Sequence, residues 1–378
     1  MQLFRKMTSA LTSPARAATP TPTPCVLPII YVTPPSPIFD PSLANFRRDN
    51  LTIKLLGAGD NGEAHLALPK RTADTFNSSL DAGAPLDAAL RAAQRDLFVV
   101  KFAKPDALEG DLENEIWFMT AVMGDLLREH AHLTHALDCC LGDGVQWLAL
   151  PLCRGGTLQA FLKQFPDAVS PAFIWHVGAQ VIGALLYLHH GILDQATDIT
   201  PAADWPMVFH EDCYPCNLLL QPAQAFGAFP DVVLADFGRA AAVSTRASCD
   251  QMQSYDYADA GNVLVELLSL TKDRDPTLRA WSSWLQDTNL MTGAKALPVL
   301  QTFMQSAARR RETAHEPLAG AAAEFLAADF DRASLRRVLV APDYVSVYFA
   351  GCRANVFYTS VGCILAGELW PDQSLASW

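Results

Sequence analysis

Apolar residues along this chain change their spacing near residue 152. Upstream they fall in the short runs that β-strands need. Downstream they recur every three or four positions, the period of a helix packed on one face. Leu51–Leu56 and Glu63–Leu68 read as two strands across a glycine turn, Leu97–Phe102 as a compact strand ending near Lys101, and Trp147–Leu152 as a buried strand. Pro69–Asp96 is an insertion between the second and third of these, polar at first and Ala-rich later, in which Leu86–Gln94 has helical character. Leu112–His130 has the length and period of a helix, and Leu158–Gln164 predicts a shorter one after the turn Arg154-Gly155-Gly156-Thr157.

Pro171–His190 is the clearest helix. Ile174, Val177, Val181, Leu185 and Leu188 share a face, and Pro171 suits a first turn, where its missing N–H costs nothing. Ala258–Leu270 is apolar enough for a buried helix, and helical spacing continues from Arg274 to about Leu339. Residues 1 to about 50, with Pro at 14, 20, 22, 24, 28, 34, 35, 37 and 41, read as a disordered Pro/Thr-rich leader. Val340–Trp378 has strand-like and aromatic content with no assigned element. Strands first and helices afterwards is the order of an α+β protein, a small β part packed on a larger α part with a cleft between them.

Composition narrows the function classes. The 378 residues suffice for one large or two ordinary domains, and 50% hydrophobic with 18% charged residues describes a globular soluble protein. A net charge of −12 argues against a general binder of nucleic acid or membrane surface, since both need basic patches. Nine Cys in so long a chain do not make a disulfide scaffold and point to a reducing, intracellular compartment, the cytoplasm first. The first 39 residues lack Asp and Glu and carry Arg5, Lys6 and Arg16, a composition shared by disordered leaders and mitochondrial transit peptides. No run of about 18 uninterrupted apolar residues occurs, so no membrane span is expected; the nearest, Val345–Trp370, is broken by Arg353, Asn355 and Glu368.

The candidate chemistry lies in two segments. His210-Glu211-Asp212-Cys213-Tyr214-Pro215-Cys216-Asn217 follows the apolar run Met207–Phe209, and Asp236-Phe237-Gly238 follows Asp231–Ala235. They bring a carboxylate, a carboxamide and a second carboxylate to the mouth of a cleft. Phosphoryl transfer needs such a set, one Asp near the acceptor hydroxyl and an Asn and an Asp to hold Mg²⁺ on the phosphates. Upstream, Gly57-Ala58-Gly59-Asp60-Asn61-Gly62 is a G-x-G-x-x-G turn whose backbone N–H groups could close over phosphates. Tight hairpins and dinucleotide folds share that pattern, although no helix opens after Gly62 as a dinucleotide fold requires. Lys101 is either a solvated strand end or a phosphate ligand held by a carboxylate. Cys213 and Cys216 form a C-x-x-C, which as a redox pair wants a thioredoxin-like sheet and as a zinc site wants a second pair such as Cys139-Cys140.

Taken in order, these residues resemble the protein kinase superfamily, whose catalytic loop reads H-R-D-x-x-x-x-N and whose metal loop reads D-F-G. The resemblance covers about residues 51–310. It implies a bilobal fold with a β-rich N-lobe (51–152), an α-helical C-lobe (153–339), the leader (1–50) and a C-terminal extension (340–378). ATP and Mg²⁺ are the implied cofactors, and transfer to a Ser or Thr hydroxyl of a protein substrate is the implied reaction. Gly57, Gly59 and Gly62 would cover the phosphates, with Ala64 as the small apolar residue that follows the loop. Lys101, in Val99-Val100-Lys101, would hold the phosphates with Glu115 as its partner, because Glu115-Ile116 followed by Met119 has the spacing of the family's helix; Glu113 would face elsewhere. In the hinge-like Leu150-Pro151-Leu152-Cys153, the Pro151 carbonyl would accept from the adenine amino group and the Cys153 N–H would donate to the ring. Asp212 would take the acceptor proton, and Asn217 and Asp236 would ligate Mg²⁺. Asp256 would brace the catalytic loop or simply cap a helix. In Tyr187-Leu188-His189, similar to the family's Y-L-H helix end, His189 is expected to be structural.

Three positions depart from the pattern. Glu211 replaces the Arg of H-R-D, Tyr214 stands where Ser/Thr kinases carry Lys, and only 17 residues with no A-P-E separate Gly238 from Asp256. Two other readings therefore stay open: a pseudokinase that binds nucleotide or partners without turnover, and a small-molecule kinase of the aminoglycoside or choline kinase type, suggested by Asp236-Phe237-Gly238-Arg239-Ala240 and the short segment after it.

Overall fold

A computed structural model describes residues 41–59, 62–104, 111–141, 145–193, 200–202, 205–223, 228–243, 249–272, 275–313, 318, 320–327 and 330–340. All lie in one of the two units into which the chain divides, residues 39–378. The leader up to residue 40, Asp60 and Asn61 of the glycine turn, and the extension 341–378 lie outside the described residues.

Helix α1 (Pro41–Asp49) precedes a five-stranded antiparallel sheet of β1 (Asn50–Ala58), β2 (Gly62–Pro69), β3 (Phe98–Ala103), β4 (Asp138–Cys140) and β5 (Trp147–Pro151), ordered β1-β2-β3-β5-β4. Residues 41–49 thus correct the expectation of a leader running to residue 50. Phe46 is the reason. Its ring is buried edge-on among Phe98, Phe102 and Trp147, with centroids 5.2–6.3 Å away, and burying one such ring contributes about 2 kcal/mol. The sheet register sets Ala64 opposite Gly57 on one side and opposite Lys101 on the other, so the glycine turn and the lysine share one stretch of sheet. Gly62 is fixed by that pairing, because a Cβ there would lie 2.5 Å from the Phe102 carbonyl oxygen.

Helices α2 (Lys70–Asp81) and α3 (Leu86–Gln94) form the insertion between β2 and β3. After β3, the single helix expected over Leu112–His130 is instead three pieces of different pitch. These are α4 (Asp111–Trp117), a π-helical turn (Phe118–Val122) and a 3₁₀ turn (Gly124–Glu129). The Thr120 hydroxyl bonds the Ile116 carbonyl at 2.6 Å and the Met123 N–H reaches the Phe118 carbonyl, which draws Phe118, Met119, Met123 and Leu127 into the core together.

The helical part holds α5 (Leu158–Gln164), α6 (Pro171–His190), α7 (Cys249–Leu270), α8 (Pro276–Leu285), α9 (Gly293–Thr313), α10 (Gly320–Ala327) and α11 (Phe330–Val340). Two small antiparallel ribbons lie among them, β6 (Met207–Phe209) with β9 (Ala241–Val243) and β7 (Leu218–Gln221) with β8 (Asp231–Leu234). Ser170 caps α6 by accepting the Phe173 N–H at 3.2 Å, and Gly191 ends it at φ +70°, where a Cβ would strike the Trp205 ring. Length and composition would let α6 cross a membrane, yet 89% of its apolar window is buried inside the protein. The sequence suggests one apolar face; the structure buries nearly the whole circumference. Its polar residues are satisfied there. Gln180 bonds Asp231 and the Val232 N–H, and His176 bonds the Pro230 carbonyl, which fixes the start of β8 and hence the Asp236 turn after it. At the far end of the chain, Leu335 and Leu339 of α11 return to the sheet and pack with α2, α3, Leu51, Leu66 and Leu68.

Candidate active site

Lys101 projects from the middle of the sheet toward α4. Its Nζ lies 3.0 and 2.9 Å from the two Glu115 oxygens and 3.1 Å from Asp236 Oδ1. Glu115 is buried on the inner face of α4 and Glu113 is exposed, so helical phase selects between the two acids. The Asp236 turn is gripped by α4 and by the π-helical turn that follows it. Phe237 stacks on Phe118 with centroids 5.3 Å apart and planes 10° apart, and the Asn114 amide donates to the carbonyls of Gly238 (2.8 Å) and Ala240 (3.2 Å). Burial opposes charge on Lys101, but the Glu115 and Asp236 carboxylates outweigh it and hold the ammonium above the usual lysine range. Burial likewise works against Asp236, and Lys101 nonetheless holds its carboxyl below the usual range.

Asp212 and Asn217 come from the loop between β6 and β7. The Asn217 amide donates to Asp212 Oδ2 (2.8 Å) and to the Asp212 carbonyl (2.9 Å), closing the loop on itself. Its main-chain carbonyl takes the Ala235 N–H at 2.9 Å, which couples Asn217 to the residue before Asp236. Asp256 lies two turns inside α7, which begins at Cys249 and not at Ala258 as the apolar spacing suggests. It is therefore no helix cap. Its carboxylate accepts the backbone N–H groups of His210 and Glu211, both at 2.8 Å, and the His189 ring N–H at 2.8 Å. Glu211 sits at φ +59°, a left-handed conformation that costs a residue with a Cβ about 1 kcal/mol, and the Asp256 bond holds it there. His210 Nε2 donates to the Ala235 carbonyl at 3.1 Å; burial pulls its pKa down, so the ring is neutral and its Nδ1 is left without a partner.

The outer side of Asp212 is more open. Arg239 Nη1 approaches Asp212 Oδ1 at 3.6 Å with its side chain 69% exposed. Tyr214 is exposed and bonds Asp259, which raises the phenol's pKa. Asp259 itself is pushed up to about 6 by burial and by the neighbouring Asp256 and Asp212. Burial and Asp256 also push Glu211 up, against the pull of Arg239.

On the sheet side, the Gly59 N–H bonds the Gly62 carbonyl at 2.9 Å, and Lys104 Nζ donates to the Gly59 carbonyl. A Cβ on Gly57 or Gly59 would meet nothing within 4 Å, so the fold itself does not demand glycine at either. Pro151 ends β5 opposite Phe98, and Cys153 just beyond it is half-buried, its thiol pushed up to about 12 by burial. At neutral pH the thiol therefore stays protonated and unreactive. Cys213 is buried and Cys216 exposed, while Cys139 and Cys140 sit on β4. Cys139, Cys140, Cys153, Cys213 and Cys216 are free thiols, and among the described residues no group of three or more His, Cys, Asp or Glu is disposed to hold a metal.

Lys101, Glu115 and Asp236 thus form one contact cluster and Asp212 with Asn217 another, joined at Ala235, whose N–H bonds the Asn217 carbonyl and whose carbonyl takes the His210 ring N–H. Asn114, Asp259 and Arg239 enter the site without a role assigned from sequence; Asn114 is signalled only by adjoining Glu115, and Arg239 only as part of the run Asp236–Ala240. No protein-family model matches the chain, and no curated protein matches it significantly.

Proposed function

We propose that this chain is a bilobal, protein-kinase-like phosphotransferase that uses ATP and Mg²⁺ to phosphorylate a Ser or Thr hydroxyl of a protein substrate. The observation that carries the reading is the lysine shared between two carboxylates at 2.9–3.1 Å. Taking Lys101 and the buried Glu115 largely out of water costs several kcal/mol in desolvation, so fold stability alone is a poor reason to keep them beside Asp236, whereas anchoring a polyphosphate is a good one. Gly57 and Gly59, which face open space, supply backbone that can approach that polyphosphate closely.

The donor set also fits Mg²⁺. Asn217 commits its amide N–H₂ to Asp212, which leaves its Oδ1 as a hard ligand, and Asp236 commits Oδ1 to Lys101, which leaves Oδ2. When bound, the ion would neutralise charge on the phosphate oxygens. Lys101, held by Glu115, positions the phosphates. Asp212 orients the acceptor hydroxyl and takes its proton as the oxygen attacks the γ-phosphorus and the bond to the β-phosphate oxygen breaks, ADP leaving with the electron pair.

Tyr214, tied to Asp259 in place of a cation, favours a second reading as a nucleotide-binding pseudokinase. The short segment between Gly238 and Asp256 favours a third, transfer to small alcohols or amines. ATP turnover and transfer to a peptide array and to a small-alcohol panel, measured on wild type, Asp212→Asn and Lys101→Met, separate them. Peptide transfer that both substitutions abolish supports the proposal. No turnover in wild type supports the second reading, and transfer confined to small molecules the third.

A further inference from the structure

We infer that Arg239 is a catalytic residue, the cation that meets the transferring phosphoryl group on the acceptor side of Asp212. This rests on the phosphotransferase reading above. A phosphoryl group in flight spreads negative charge over three oxygens, and a site that moves it needs positive charge on the acceptor side as well as the nucleotide side. On the nucleotide side that charge is Lys101, held in place by Glu115 and Asp236. On the acceptor side, among the described residues, the cation in contact with Asp212 is Arg239, at 3.6 Å.

Its placement has the features of a built position. The turn Phe237–Arg239 is clamped on both sides, since Asn114 holds the carbonyl before Arg239 (Gly238) and the one after it (Ala240), while Phe237 is fully buried against Phe118 and His210. The backbone is therefore fixed while the guanidinium remains 69% exposed and free to swing from Asp212 to an incoming phosphoryl oxygen. Three surrounding residues lack a positive charge where the transfer needs one. Asp212 and Glu211 are acids, and the Tyr214 hydroxyl is turned to Asp259. Arg239 is close enough to act electrostatically on Glu211 and on Tyr214 as well as on Asp212. A planar guanidinium can bond two phosphoryl oxygens at once, which suits this task better than a point charge. In the step itself, Arg239 releases Asp212 to the acceptor O–H and pairs with the γ-phosphoryl oxygens while the bond to the β-phosphate oxygen breaks.

The test compares binding of MgADP with binding of MgADP plus aluminium fluoride, which mimics the phosphoryl group in flight, by calorimetry on the full chain. Wild type, Arg239→Ala and Arg239→Lys are needed; the side chain is exposed, so all three are expected to fold, and circular dichroism checks that they do. Arg239→Ala should bind the aluminium fluoride complex at least about 10-fold more weakly, bind MgADP within about twofold of wild type, and lose about 10²–10³-fold in turnover. Arg239→Lys should recover part of both losses, and free guanidinium ion should restore part of the Arg239→Ala rate, neither of which a merely structural arginine would give. Equal aluminium fluoride affinity in wild type and Arg239→Ala overturns the inference and leaves the phosphotransferase reading standing. Equal weakening of both complexes overturns it too, since Arg239 would then bind ADP and not the moving group. A wild type that binds no MgADP, or gains nothing from aluminium fluoride, removes the phosphotransferase reading and the inference with it.

Discussion

The surroundings of Lys101 and of Asp212 obey different physics. Lys101, on a sheet strand, is held at 2.9–3.1 Å by the buried Glu115 carboxylate of α4 and by Asp236 on the turn after β8. Asp212 sits on an irregular loop, and the cation beside it is 3.6 Å away on an exposed side chain. The first arrangement is set before any ligand arrives; the second keeps charges that can be reassigned. Anchoring a polyphosphate rewards preorganisation, whereas admitting an acceptor and passing a proton need groups that can exchange partners. Two of the three departures from the kinase pattern, Glu211 and Tyr214, fall on the Asp212 side. That concentration is what the contrast teaches: under the proposed function, the side that would anchor phosphate keeps the residues of the kinase pattern, and the side that would meet the acceptor is where this chain departs from it.

Asp256 gives the largest test, because it carries the Asp212 side from below. Asp256→Ala removes three hydrogen bonds around a buried carboxylate and should cost about 3–5 kcal/mol of stability by chemical denaturation. At temperatures where the variant stays folded, MgADP affinity should hold within about twofold while transfer falls. Loss of nucleotide binding in step with transfer would erase the distinction between the two sides. Glu115→Gln probes the other half at similar size but less stability. It leaves Lys101 paired with Asp236 alone and should weaken MgADP binding about 10-fold, roughly 1.4 kcal/mol, with a change in unfolding free energy below about 1 kcal/mol. Unchanged affinity would mean that Glu115 does not position the lysine.

The smallest effect is a pH dependence at Asp259. Its folded pKa of about 6 stands above the ordinary 3.8, so the folded protein binds that proton more tightly than the unfolded chain does. Stability contributed by the proton is complete at low pH and is lost as pH rises from roughly 4 to 6. Asp259→Asn keeps an acceptor for Tyr214 and removes the charge. Discounted for half exposure, it should stabilise the protein by about 1 kcal/mol at neutral pH and by nothing near pH 4. Melting temperatures of both proteins across that range decide it; a gain that persists at acid pH would trace to packing and not to charge.

Much of this was legible before any coordinates. Strands β1, β2, β3 and β5 and helices α3, α5 and α6 stand where apolar spacing sets them, and the ends of α6 follow from Ser170, Pro171 and Gly191. Short-range sterics and hydrogen bonding decide such features, and they are written in neighbouring residues. β4, β6 and β9 were not legible. Strands of three residues have too little local preference to declare themselves and exist because a partner is already in place. The same holds for α1, whose nine residues depend on one ring, Phe46, finding an aromatic pocket assembled from β3 and β5.

The site divides along the same line. Its chemistry could be read from residue type and order: an amide and two carboxylates after short apolar runs, a lysine on a strand, glycines in a turn. Which acid of α4 faces Lys101, why Asp256 lies inside a helix and yet braces a loop, and how Arg239 comes to stand beside Asp212 depended on contacts across 14, 45 and 27 positions. Local sequence selects among backbone shapes, but charges separated that far along the chain are brought together only when burial of the core around α6 fixes where each element lies.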